Sequence, residues 1–333
     1  MNVKKLFNYN ETYLALVLIV FSMAITIASP VFFTLDNFAI MAKTSAGTAI
    51  LAIGVFIVML SGGVDVSCTT VAISTQYMTV LFILGTGINN IFVAFVVACI
   101  LGIAFGAINA VFISIFKIPI LITTLGTASL FNGIVTEFVG TKSYNVGDIP
   151  QCFKDFGNLS LITWNLPDGT PFGLSVFFFI LLGVLILTWV ILKFTMIGRG
   201  IYALGGNPEA AKRAGFNLHK INFFIYCYAG FLAGIMGIIH VSLIYFSNPM
   251  HLIGEEMTII AAVVLGGTRI SGGTGTLTGT MLGVALIMIL QKNLVLIGLS
   301  SYWQSFFVGL IIVIGVTITN VQNKLKTMKR AGV

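Results

Sequence analysis

The chain has 333 residues, 58% of them hydrophobic and only 8% charged. Soluble domains are roughly 45–50% apolar and about 25% charged, so this composition excludes a globular protein folded in water and makes lipid the solvent. The net charge of +7 is spread along the chain rather than gathered on one face, which argues against a nucleic-acid partner.

Apolar stretches near the roughly 20 residues that a bilayer requires recur along the chain. In order they are Tyr13–Phe33, Thr44–Leu60, Thr69–Leu84, Ile91–Phe116, Ile118–Val139, Phe172–Leu192, Phe223–Phe246, Met257–Gly266, Leu277–Ile297 and Tyr302–Ile318. The eighth is short and ends on glycine, as a broken or re-entrant helix would. The first has an alternative reading as a secretory signal, with Lys4 and Lys5 ahead of the apolar run and Thr26-Ile27-Ala28 as the cleavage site. The pattern predicts an all-α, multi-pass membrane protein with about ten transmembrane helices. It is a single membrane-spanning domain over residues 1–333.

Charge sets the orientation. With both termini in the cytoplasm, all but Lys43, Lys142, Lys154 and Lys292 of the 17 Lys and Arg lie on the cytoplasmic side. Residues 140–171 then form a long outer loop and residues 193–222 a long inner one. This topology places Cys152 outside and Cys227 buried in a span. The four cysteines, with Cys68 and Cys99, form neither a CxxC pair nor a disulfide framework.

The inner loop carries a helix with its own punctuation. Asn207 is a good N-cap, Pro208 suits the first helical position, and Glu209 complements the helix dipole. Ala210 and Ala211 give it a small-residue side, Arg213 closes its last turn, and Gly215 can take the left-handed conformation that stops it. Such a helix can enter a groove on a partner or lie on the lipid surface.

Two glycine-rich stretches echo one another. Ser61-Gly62-Gly63-Val64-Asp65-Val66-Ser67 parallels Leu265-Gly266-Gly267-Thr268-Arg269-Ile270-Ser271. Paired glycine breaks point to an internal repeat and a transport pathway. Two short cytoplasmic turns are the plainer alternative, and six intervening spans would make the repeat parallel rather than inverted. Asp65 and Arg269 must each reach water or protein, because lipid does not hold charge. Asn109, Thr123 and Thr124 lie in apolar segments, where they can line a polar path or bond between helices. Gly102/Gly106, Gly230/Gly234 and Gly279/Gly283 have the spacing of closely packed helices. No phosphate-binding glycine loop, zinc-protease helix or serine-hydrolase elbow is present, so nothing implies a cofactor, a metal or catalysis.

These stretches, with Ile118–Thr127, Gly205–Ala211 and Ala261–Gly273, resemble the permease subunit of bacterial ATP-binding-cassette importers for simple sugars, the ribose-type group. The resemblance runs from about Ala46 to Gly315. It implies a second permease copy, a cytoplasmic ATPase and an extracytoplasmic sugar-binding protein, all at the bacterial cytoplasmic membrane. It also implies that the helix after Asn207 couples to the ATPase. The chain departs from the family pattern after Ser67, where Cys68-Thr69 replaces Val-Gly. The competing reading is an ion- or proton-coupled secondary transporter.

Overall fold

The structure, a computed structural model, describes residues 10–165 and 171–293, with the isolated positions 303, 306, 309, 310 and 313. The chain runs as α1 (Asn10–Ala28), a 3-10 turn (Pro30–Phe33), α2 (Leu35–Leu60), α3 (Cys68–Thr86), α4 (Ile91–Ser114) and α5 (Ile120–Ile134), which continues as a single π turn (Val135–Val139). There follow α6 (Gln151–Asn158), the strands β1 (Ser160–Asn165) and β2 (Pro171–Ser175), α7 (Val176–Phe194), α8 (Met196–Gly206) and α9 (Pro208–Arg213). The remaining described helices are α10 (Leu218–Ile244), α11 (Glu256–Leu265) and α12 (Leu277–Asn293). Among the described residues, six helices are long and apolar enough to cross a membrane: α2, α3, α4, α5 with its π turn, α7 and α10. Helix α1 and the shorter α11 and α12 coincide with three further expected segments. The expected tenth, Tyr302–Ile318, lies outside the described residues except at the isolated positions above, which are helical.

Local chemistry fixes most helix ends. The second expected segment begins at Leu35 rather than Thr44, because the Thr34 hydroxyl accepts a hydrogen bond from the Asn37 N–H at 3.3 Å. Asn90 caps α4 by accepting from Phe92 N–H at 2.8 Å. Gly87 ends α3 in the left-handed region at φ 69°. The segment 140–171, expected as a long loop, is not the plain loop that an all-α reading expects. It folds into amphipathic α6 and an antiparallel hairpin pairing Ser160 with Ser175 and Thr163 with Gly173. The run Leu161-Ile162-Thr163-Trp164 carries the branched and aromatic side chains that suit a strand.

The core lies around α2, α3 and α10, whose spans are 72–78% buried. Helix α10 packs on α4 through glycines. A Cβ on Gly102 would run into the Gly230 carbonyl, and one on Gly106 into the Tyr226 carbonyl. The two small-residue pairs read from the sequence therefore face each other. Gly279 and Gly283 do the same for α12 against the carbonyls of Gly266, which caps α11, and Ala262 on α11. Helix α10 also closes on α3, where a Cβ on Gly237 would sit 2.7 Å from the Ala72 carbonyl. Thr69, Thr70, Ser74, Thr75, Gln76 and Thr79 of α3 are all buried. Helices α4 and α7 are only 22% buried but have mean hydropathies of 2.9 and 2.6, as lipid-facing spans should.

Two cysteine expectations change. Cys152 lies in the segment 140–171, expected outside, but is buried on α6, its N–H donating to Asn89 Oδ1 at 2.7 Å. Burial also raises its thiol above the usual range, so a thiol reagent meets both less thiolate and less access. Cys227 is in a span, α10, but only partly buried.

Candidate functional site

Three segments that are distant in sequence meet at one end of the bundle. They are the link Ser61–Ser67 after α2, the end of α8 leading into α9, and the turn between α11 and α12. Glycine makes the contact possible. Gly272 and Gly273 have φ of 84° and 74°. A Cβ on Gly272 would sit 2.6 Å from Gly62 Cα and 3.0 Å from Gly205 Cα, and one on Gly273 would sit 2.8 Å from Gly206 Cα. A Cβ on Gly205 would run into the Leu60 carbonyl, which already accepts from Gly273 N–H at 2.9 Å. The Tyr202 hydroxyl on α8 adds a bond to the Gly275 carbonyl at 3.2 Å. The two echoing motifs thus form opposite sides of one backbone joint, with the start of the short helix as its third side.

Helix α9 is built as its sequence suggests. Asn207 Oδ1 accepts from Ala210 N–H at 3.0 Å, and Gly215 takes φ 86°. Glu209, Ala210, Arg213 and Gly215 are exposed. Ala211 is not, at 3% exposure. Its side chain faces this chain rather than a partner, so the small-residue surface open to docking is Ala210 with Pro208 and Glu209.

Above the joint lies a buried polar cluster. Asp65, 4% exposed, accepts from Ser67 N–H at 2.8 Å and from the Ser67 hydroxyl at 2.6 Å. Burial raises this carboxyl, with the two Ser67 bonds opposing the rise. The Ser67 oxygen accepts from Asn109 Nδ2 on α4 at 2.9 Å. On the other side, the Thr124 hydroxyl of α5 accepts from Val66 N–H and donates to the Val64 carbonyl, both at 3.2 Å. The structure therefore gathers Asp65, Ser67, Asn109 and Thr124 into one cluster. It leaves Thr123 out, bonded only to its own helix at Pro119 O. Arg269 is exposed and far from serving as a counter-charge inside the cluster; its backbone N–H closes the α11–α12 turn on Thr274 O at 3.0 Å. Gly266 packs on Gly279 of α12, Gly267 has φ 88°, and the Ser271 carbonyl lies 3.4 Å from a Cβ built on Gly62. Gly63 has no room for a side chain beside Ile120.

Ser67 is the pivot of this cluster, which predicts an order of stabilities. Ser67→Ala removes a bond from the Asp65 carboxylate and strands the Asn109 amide, at an expected cost of about 2–3 kcal/mol. Asn109→Leu removes one bond but also an oxygen, Oδ1, that has no partner, so its cost should be about 1 kcal/mol or less. Thermal unfolding of the purified protein in detergent ranks the two. Equal losses would mean that Ser67 is not the pivot.

The joint's other half was hidden in the sequence. Gly205, Gly206, Gly272 and Gly273 act through their backbones, and only their glycine identity hints at it. A second long-range bond was likewise missed, from the Thr69 hydroxyl to Glu256 Oε2 at 2.9 Å.

Comparison with known proteins places the chain among permeases. The family described as "Branched-chain amino acid transport system / permease component" matches residues 37–316. The chain is 34% identical to the ribose import permease protein RbsC of Escherichia coli (strain K12) over 304 residues, 91% of each chain. It is 32% identical to the ribose import permease protein RbsC of Haemophilus influenzae (strain ATCC 51907 / DSM 11121 / KW20 / Rd) over 315 residues, 93% of this chain and 92% of that one. It is 30% identical to the autoinducer 2 import system permease protein LsrC of Photorhabdus luminescens over 309 residues, 92% of this chain and 88% of that one. No solved structure matches the chain.

Proposed function

The chain belongs to the branched-chain amino acid transport system permease family, and from that premise we propose that it is the membrane subunit of an ATP-binding-cassette importer for a monosaccharide. The observation that carries the sugar reading is the likeness to ribose import permeases over 91% of the chain. It is a multi-pass protein of the bacterial cytoplasmic membrane and works with an ATPase and an extracytoplasmic binding protein. It performs no covalent chemistry; it supplies the path. Two copies form that path, both termini face the cytoplasm, about ten helices cross the membrane, and lipid surrounds α4 and α7. This orientation puts the glycine joint and α9 at the cytoplasmic face. A secondary transporter is disfavoured by the family.

The mechanism follows from the joint. Helix α9 docks on the ATPase, and closure of the ATPase pair on nucleotide moves it. Gly205 and Gly206, immediately before its cap, lie backbone to backbone with Gly62 and Gly272–Gly273. Motion of α9 therefore reaches α2, α11 and α12 without passing through flexible side chains. The spans shift between two packings, and nucleotide changes their populations.

The test is on the exposed side of α9. Ala210→Arg and Glu209→Lys should leave the amount of folded permease unchanged. Sugar uptake and ATPase stimulation by loaded binding protein should both fall by about tenfold or more, equivalent to ~1.4 kcal/mol or more of lost coupling. Ala211→Arg is no test, because Ala211 is buried in its own chain. A helix lying on lipid would accept the added positive charge beside anionic headgroups. Normal uptake by both variants would reject the coupling role.

A further inference from the structure

Between α10 and α11 the chain descends into the membrane without being helical, and α3 measures the descent. Gln76 Nε2 donates to the Phe246 carbonyl at 3.1 Å, and the Thr69 hydroxyl donates to Glu256 Oε2 at 2.9 Å. Gln76 and Thr69 are two turns apart on a spanning helix, about 10 Å of rise. Irregular backbone at such a depth is tolerated only where protein buries it or where it lines a water-filled cavity. Its own chain buries Ser247, Pro249 and Leu252 but leaves much of the segment open. Met250 is 54% exposed, His251, Gly254 and Glu255 are exposed with it, and Met257 on the first turn of α11 is 57% exposed. A carboxylate and an imidazole at this depth do not suit lipid.

Helix α5 gives an independent reason to find water here. Exposure and hydropathy go together elsewhere in the bundle: α4 and α7 are 22% buried with mean hydropathies of 2.9 and 2.6, whereas the 72–78% buried spans have 1.4–1.9. Helix α5 breaks that relation. It is 28% buried, yet its mean hydropathy of 1.2 is the lowest of the six. Its exposed positions include Ser129 and Glu137. The loop that follows its far end is tied to the descending segment, by the Tyr144–Ser247 backbone bridge and by Asn248 Nδ2 donating to the Ser143 hydroxyl at 2.8 Å. Two surfaces, one irregular and one too polar for its exposure, therefore both border α3 and are joined through the loop after α5.

We propose that the non-helical segment 247–255, with the first turn of α11 and the adjoining face of α5, walls the water-filled route along which the sugar crosses the membrane. The Glu255 carboxylate accepts hydrogen bonds from passing hydroxyls in place of water. This deepens the importer reading and rests on it for the identity of the sugar as cargo.

The test is cysteine access in the assembled importer, with its ATPase and binding protein, in membranes. Cys99 and Cys227, the two partly exposed native cysteines, are replaced by alanine in the background chain. Glu255→Cys and Met257→Cys are compared with Ile100→Cys, which is 61% exposed on lipid-facing α4. A charged, membrane-impermeant methanethiosulfonate should modify the first two about tenfold faster or more, since rate follows access and thiolate fraction. Complete modification should then block sugar uptake. Modification of both as slow as at Ile100→Cys in every nucleotide state would overturn the proposal, and would mean that the second copy or lipid covers the segment. Normal uptake after complete modification would overturn it equally. Failure of the importer reading itself shows separately, as absence of ATP-dependent sugar uptake in the unmodified background.

Discussion

Replacing Gly230 by valine is expected to abolish accumulation of the folded permease. Gly230 sits where α10 crosses α4, and a Cβ there would run into the Gly102 carbonyl, with the Gly102 carbon 2.8 Å away. The obstacle is backbone on a neighbouring helix, so no rotamer change relieves it and the helices must separate. Overpacking a core costs typically about 1–3 kcal/mol when side chains can adjust. Here they cannot, and Gly106 against Tyr226 and Gly234 against Ala98 would lose contact together. The loss should exceed that range and become comparable with a whole fold's stability of roughly 5–15 kcal/mol. Gly183→Val on α7 is the comparison, because nothing lies within 4 Å of a Cβ there. Heat-resistant monodisperse permease in detergent measures both. Equal recovery of the two variants would show that the α4–α10 crossing does not hold the bundle.

The second large effect is on transport rather than assembly. Gly205→Ala adds a single methyl at the joint, directed at the Leu60 carbonyl that Gly273 N–H already occupies. The end of α8 must then move away from α2 and from the α11–α12 turn. The obstacle is again backbone, but a single methyl at a helix end beside turns can be relieved by a local shift that a packed helix crossing does not allow, so the cost should stay below the fold's roughly 5–15 kcal/mol and the permease should still accumulate. The contact that carries motion from α9 to the spans would open, however, and uptake should fall by about tenfold or more. Gly206→Ala, one residue along, meets nothing within 4 Å and should transport near normally. Uptake and ATPase stimulation in the two variants, normalised to the amount of complex, decide the matter. If Gly205→Ala transports as well as Gly206→Ala, motion does not pass through the joint.

The spans were legible in the sequence because a bilayer demands long apolar runs whatever they pack against. The α9 cap was legible because Asn207, Pro208 and Gly215 act on their own neighbours. Asn109 could be recognised as a polar residue in an apolar helix, but its partner Ser67 is 42 residues away and no periodicity marks it. Ala211 shows the limit most clearly: alanine fits a partner's groove and the chain's own interior equally well, and the structure buries it. The joint was half visible, as two glycine echoes. Their meeting with Gly205 depends on carbonyls and Cα atoms, which every residue possesses.

Helix α3 has a consequence for how the chain is made. It carries six buried polar side chains and a mean hydropathy of 1.4, and the helix that covers it, α10, begins at Leu218, well after α3 ends at Thr86. About 130 residues separate the two, which at ribosomal speeds of roughly 5–20 residues per second is on the order of ten seconds. Throughout that interval α3 is in the bilayer or the insertion machinery with its cover not yet synthesised. Its first companions are α2, already made, and α4, which follows at once with a mean hydropathy of 2.9. Retention of α3 in the nascent chain therefore falls to those two neighbours, and a chain ending before Leu218 would leave the threonine-rich face of α3 open to quality-control proteases.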